Sequence, residues 1–237
     1  FKLNLIKMKN IITVISLFAL LLISAFGFSQ TNDIRIINDF NKLEVWGNFK
    51  IELVQADSNA IFIDSKIVPS DEIVSEIKNG VLKIKTKSNL FKETTLNIKI
   101  NYKSIAQVKA NASAELNFLN PVIQDDIKIE AIGGARVILT VELKNTDLTA
   151  YQGGQIDIKG KASTASLFAN SGGIISATNL IIDDAKINLN TGGQAEITVN
   201  KKLVARVNTK SRLSYFGKPE IEEIKASLGA TISKWDE

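Results

Sequence analysis

The chain has 237 residues and contains neither histidine nor cysteine. The first absence removes the usual general base, the Ser-His-Asp and Cys-His constellations and the common zinc sites; the second removes any disulfide framework. The formal net charge of +4 includes Lys2, Lys7 and Lys9 in an acid-free leader, so residues 31–237 carry 26 basic and 25 acidic side chains and leave no electrostatic footprint for nucleic acid.

Residues 1–30 read as a targeting segment. Met8 is the expected start, with residues 1–7 as upstream sequence. Lys9 forms a short positive region, Ile11 to Phe28 an uncharged stretch, and Gly27-Phe28-Ser29 a small-x-small cleavage pattern before Gln30. The expected protein is exported, into the periplasm, onto the outer surface or into the medium. An uncleaved anchor is the alternative, because 18 uncharged residues can just span a bilayer.

Residues 31–107 are β-rich without a regular repeat. Candidate strands are 34–37, 43–45, 49–54, 60–64, 73–77, 81–86 and 95–102, and Asn79-Gly80 is a strong hairpin signal. The expected arrangement is a set of irregular coils plus a hairpin that covers one open end of the stack formed by the rest of the chain. Lys83, Lys85 and Lys87 alternate along one strand of this hairpin and read as a solvated edge that resists aggregation, with attraction to an acidic glycan as the sharper alternative.

Residues 108–237 repeat. Small doublets recur at Ser113-Ala114, Gly134-Ala135, Gly153-Gly154, Gly172-Gly173, Gly192-Gly193, Lys210-Ser211 and Gly229-Ala230, spaced by 21, 19, 19, 20, 18 and 19 residues. Apolar columns accompany them: Val108 to Ile224 five before the doublet, Ala110 to Ala226 three before, Leu116 to Ile232 three after. A fourth column, five after, runs from Phe118 to Tyr215 and breaks at Lys234. Positions two apart with one apolar face are strands. A unit this short cannot bury its own face and must stack on its neighbours. The expected fold is all-β: a right-handed β-helix-like solenoid of about seven regular coils of about 19 residues, with 31–237 as one domain.

Polar columns are the places to look for function. Asp157 and Glu196 fall in the outward column four after the doublet, two coils apart, a spacing that an inverting glycosidase could use but that also suits an exposed strand. Asp125-Asp126 and Asp183-Asp184 are too far apart to share an ion and read as turn residues bonding their own backbone. Asn111, Asn170, Asn190 and Asn208 recur two before the doublet, in a column that Ile132, Tyr151 and Ser227 complete. They read as a structural amide ladder, or as an array that hydrogen-bonds a polysaccharide lying along the rod.

The corner strings Asn170-Ser171-Gly172-Gly173 and Asn190-Thr191-Gly192-Gly193, together with 215–219 (YFGKP) and 79–84 (NGVLKI), resemble the DUF2807 family, known as the putative auto-transporter adhesin head GIN domain, over roughly residues 40–237. The resemblance implies a β-solenoid in an exported protein of Bacteroidota and carries no active-site residues. The expected protein is therefore not an enzyme. It has no catalytic residues, no metal and no cofactor, and its ligand-binding residues are unknown. Its expected partners are a surface glycan or another envelope protein, with no nucleic acid, and with the membrane only through the leader. A structural or envelope-stress accessory is the alternative, and a polysaccharide-acting β-helix enzyme the third reading.

Overall fold

A computed structural model describes residues 31–65, 68–88, 90 and 94–235. The leader at 1–30 lies outside the described residues. From Asn32 onward the chain forms one compact unit. Its irregular part contains β1 (Thr31–Ile36), β2 (Lys42–Trp46), β3 (Phe49–Gln55), β4 (Ala60–Ser65), a single 3-10 turn (Ser70–Glu72), β5 (Ile73–Lys78), β6 (Val81–Thr86) and β7 (Leu96–Tyr102). The repeats contain β8 (Gln107–Asn111), β9 (Glu115–Phe118), β10 (Val122–Ile132), β11 (Arg136–Tyr151), β12 (Gln155–Asn170), β13 (Ile174–Asn190), β14 (Gln194–Val207), β15 (Arg212–Phe216), β16 (Ile221–Ala226) and β17 (Thr231–Trp235). Among the described residues no helix is long and apolar enough to cross a membrane.

The corner sets the repeat. Gln152 and Gly153 both take left-handed backbone (φ 51° and 75°), as do Ser171 and Gly172 (49° and 74°) and Thr191 and Gly192 (49° and 73°). Two successive left-handed residues make a type I′ turn, closed here by the Gly154 N–H donating to the Tyr151 carbonyl at 3.0 Å. Corners also bond along the stack: the Gly153 N–H donates to the Ser171 carbonyl at 3.1 Å, and the Gly172 N–H to that of Thr191 at 3.2 Å.

The two glycines of a doublet are needed for different reasons. At the first the constraint is φ alone: a Cβ on Gly172 would meet nothing within 4 Å, and Ser113 and Lys210 occupy the same conformation at φ 67° and 58°. The Lys210-Ser211 departure therefore keeps the corner intact. At the second the constraint is space: a Cβ on Gly154, Gly173 or Gly193 would lie 1.9, 2.1 or 2.3 Å from the carbonyl oxygen of Ala131, Ala150 or Ala169 one coil away.

All four apolar columns point inward and are buried through the sixth coil, for example Val108, Ile129, Leu148, Leu167, Ile187 and Ala205. Parallel pairing holds them in line, with Leu148 opposite Ile129 and Leu167. Between corners the alternation breaks where the coil bends: in β11 the buried positions Val137, Leu139, Val141 and Leu143 are followed, after Lys144-Asn145, by Thr146, Leu148 and Ala150. Register shifts at Ala177/Ile181 absorb the unequal coil lengths.

The spatial order at the N-terminal end differs from chain order. Level β2/β3 lies between β6/β7 on one side and β8/β9 on the other, so the chain builds one level, then a level outside it, then crosses back. Antiparallel strands close this end, β4 on β7 and β5 on β6, the latter through the Asn79-Gly80 turn. β1 neighbours β4, and its Arg35 guanidinium donates to the Ile73 carbonyl at 2.8 Å, the Ser70 carbonyl at 2.7 Å and Ser75 Oγ at 2.7 Å. The lysine row is not at an edge: β6 is paired on both sides, and Lys83 meets Glu44 of β2 at 3.5 Å.

Candidate functional site

The outward amide column forms as a continuous row. Register places Trp46 opposite Asn111, then Ile132, Tyr151, Asn170 and Asn190 on successive levels. Much of its hydrogen-bonding capacity goes to the stack. Asn208 Nδ2 donates to Asn190 Oδ1 at 3.1 Å, and the Ser227 hydroxyl to Asn208 Oδ1 at 2.6 Å. Asn170 Oδ1 accepts from the Ser171 N–H of its own corner at 2.7 Å, and Asn111 is buried against the Val45 carbonyl. Trp46 is half exposed, Tyr151 partly so. In the adjacent outward row Phe168 lines a shallow depression of about 320 Å³ with Thr149 and Asn188.

A larger concavity than this depression lies near the N-terminal end. This groove of about 560 Å³ crosses β4, β7, β3 and β9. Cross-strand pairing lays out one outward row as Asp64, Asn97, Lys50 and Glu115, and a parallel row as Phe62, Lys99, Glu52 and Asn117. The Lys99 ammonium lies 5.8 Å from the Phe62 ring centroid. Asp33 and Ile34 of β1 complete the lining.

Of the acids singled out from sequence, Asp125, Asp126, Asp157 and Asp183 are engaged along the axis. Asp157 and Glu196 stand two levels apart with Ser176 between them, and Asp157 pairs with Arg136 at 2.6 Å. The acidic doublets do not bond their own turns. Asp125 instead meets Lys144 at 2.9 Å, Asp126 accepts from Asn145 at 2.7 Å, and Asp183 meets Lys201 at 2.9 Å, all one coil on. Hydrogen bonding to these carboxylates holds the Lys144 and Lys201 ammonium groups above their ordinary pKa. The coil period itself brings residues about 19 apart together, which explains why axial partners replace local ones. Among the described residues no group of three or more acids could hold a metal ion.

The groove residues were not picked out from sequence. A faint signal exists, since Lys50/Glu52, Phe62/Asp64, Asn97/Lys99 and Glu115/Asn117 each alternate with apolar residues. Nothing in that alternation says which strands adjoin.

A stacked β-solenoid with apolar columns inside and polar side chains displayed outside belongs to the class of repeat proteins that present an extended surface. The profile of the family described as putative auto-transporter adhesin, head GIN domain, matches residues 39–219, and the chain belongs to that family. Its class is that of adhesin-like cell-surface proteins. No match was found among curated proteins. Solved structures share the fold. A putative adhesin from Bacteroides fragilis is 17% identical with a TM-score of 0.78, covering 86% of this chain and 96% of that one. A putative adhesin from Parabacteroides merdae is 20% identical with a TM-score of 0.69, covering 86% and 95%. A structure from Parabacteroides distasonis described as a putative lipid binding protein is 20% identical with a TM-score of 0.66, covering 87% and 98%.

Proposed function

We propose that this protein is an exported, non-catalytic adhesin that holds a glycan against the outside of its coils. The observation that carries the reading is the division of side chains: inward columns fill the interior mainly with Ala, Ile, Leu and Val, while amides, charges and the rings of Trp46, Tyr151 and Phe168 stand outward in axial rows. A chain of sugar hydroxyls laid along such rows meets donors and acceptors at a regular strand spacing of about 4.8 Å. Family membership supports the adhesin class.

The full chain on an oligosaccharide array tests the reading, with saturable binding as the expected result. A protein that binds no glycan would contradict it and favour a structural envelope role. The mutual bonding of Asn190, Asn208 and Ser227 supports that second reading for part of the amide row. Replacing Tyr151, Asn170 and Asn190 together separates the two: weakened binding with unchanged unfolding marks a contact row, and lost stability with unchanged binding marks an internal ladder.

A further inference from the structure

We propose that the groove across β4, β7, β3 and β9 is the saccharide site, and that it takes a short, neutral, hydroxyl-rich segment with its apolar ring face on Phe62. The inference rests on the glycan-binding reading above and assigns it a place.

Three observations carry it. First, the groove holds about 560 Å³, and the four strands it crosses span three strand spacings, roughly 14 Å. That is room for a few sugar rings.

Second, most of its charged groups are uncommitted, the exceptions being Asp33, which pairs with Arg35 at 2.9 Å, and Lys99, which rests on the Phe62 ring. Several carboxylates elsewhere are paired across levels, as at Glu44–Lys83, Asp125–Lys144, Asp157–Arg136 and Asp183–Lys201. In the groove, Lys50, Glu52, Asp64 and Glu115 crowd adjacent strands, yet none makes an ion pair or side-chain hydrogen bond among the described residues. Carboxylates that accept and ammonium groups that donate, with Asn97 and Asn117 able to do both, suit a ligand carrying many hydroxyls.

Third, the surroundings select against other ligands. β7, β3 and β9 are each paired on both sides, so their backbones cannot accept an added peptide strand. Both signs of charge line the groove, Asp33, Glu52, Asp64 and Glu115 beside Lys50 and Lys99, so no positive field draws a polyanion. The partly exposed Phe62 ring supplies the apolar platform that a sugar's C–H face requires.

The test uses the full chain on an array of neutral hexose and N-acetylhexosamine tri- and tetrasaccharides beside uronic-acid and sulfated ones. Wild type is compared with Phe62→Ala, with Glu52→Gln plus Glu115→Gln, and with the Tyr151, Asn170 and Asn190 triple alanine variant. The isosteric Gln pair guards against a folding defect in Phe62→Ala. We expect neutral oligosaccharides to bind, with affinity falling about tenfold or more in both groove variants and changing less than about threefold between roughly 0.05 and 0.5 M NaCl. Binding that survives both groove variants and is lost in the triple variant overturns the groove while leaving the glycan reading intact. Capture of acidic glycans alone, with steep salt dependence, overturns the neutral-ligand assignment. An array with no bound glycan overturns both readings.

Discussion

At the N-terminal end of the stack the outermost parallel level, β6/β7, is covered by backbone: β5 and β4 pair on it antiparallel, and Arg35 clasps β1 to the Ser70–Ser75 segment. At the C-terminal end β16 and β17 carry no further strand among the described residues. Side chains protect that end. Glu222 and Lys234 stand in register with the buried Leu203 and Tyr215, pair with each other, and receive the Tyr215 hydroxyl on Glu222 at 3.0 Å. This explains why the fourth apolar column breaks at Lys234: an inward-pointing ion pair blunts a strand edge that would otherwise template association. The two solutions have different consequences. A backbone cap buries the outermost level and builds a concave surface, whereas a side-chain cap leaves Ile224 and Ile232 only partly covered and Ile221, Leu228 and Trp235 exposed.

The comparison breaks most visibly at the corners. Gly173→Val in mid-stack drives a Cβ into the Ala150 carbonyl and should cost about 4 kcal/mol or more. Gly229→Val at the last corner meets only Lys210 Cγ at 3.7 Å and should cost about 1–2 kcal/mol for its positive φ. Thermal unfolding of the two variants checks the ranking. Equal losses would mean that positive φ, and not the close approach to the next coil, sets the cost at both doublet positions.

At the capped end, Arg35→Ala removes the three bonds to Ile73, Ser70 and Ser75. The expected loss is about 2 kcal/mol, with faster amide exchange in β5 before any change in β12 or β13.

Beneath that cap Tyr102 is buried with its hydroxyl unpartnered among the described residues, and burial pushes its pKa from the ordinary 10.0 up to about 12. Its neutral form is the one the fold favours, so its contribution is full below pH 10 and is lost as pH rises towards 12. Tyr102→Phe should stabilise by about 1 kcal/mol near neutral pH and flatten the alkaline loss. A destabilised variant would mean that the hydroxyl has a partner.

The smallest effect belongs to the other end. Hydrogen bonding from Lys234, then from Tyr215, holds the Glu222 carboxyl below its ordinary 4.5 against the opposing effect of burial. A lowered carboxyl pKa contributes stability above that ordinary value and loses it as pH falls through the lowered one. Glu222→Gln should cost less than about 1 kcal/mol at pH 7 and remove the acid-dependent fraying of β16 and β17, measured by exchange from pH 6 down to pH 3.

The regular repeats were legible because one period governs everything in them: the doublets, the inward columns and the strand alternation coincide, and the burial of Val137, Ile156, Ile175 and Leu213 follows from spacing alone. In the N-terminal part single strands were legible, such as 81–86 and 49–54, and so was the Asn79-Gly80 turn. Their neighbours were not. Leu43 and Val45 lie between Leu82/Ile84 and Val108/Ala110, and an apolar alternation accepts any of several partners in the same face. The permuted level order thus hid both the interior position of the Lys83 strand and the groove, whose residues come from four separated segments. The acidic doublets were misread for a related reason: partners one coil away are remote in sequence and outcompete the local turn.

Native-state hydrogen exchange along the full chain, resolved by peptide, tests the contrast between the two ends most directly. The structure predicts that amides of β4, β5, β6 and β7 exchange only with the global unfolding that also releases β11 to β13, while β16 and β17 open first and independently. Protection of β16 and β17 equal to that of the central coils, or early opening of β4 and β5, would contradict it.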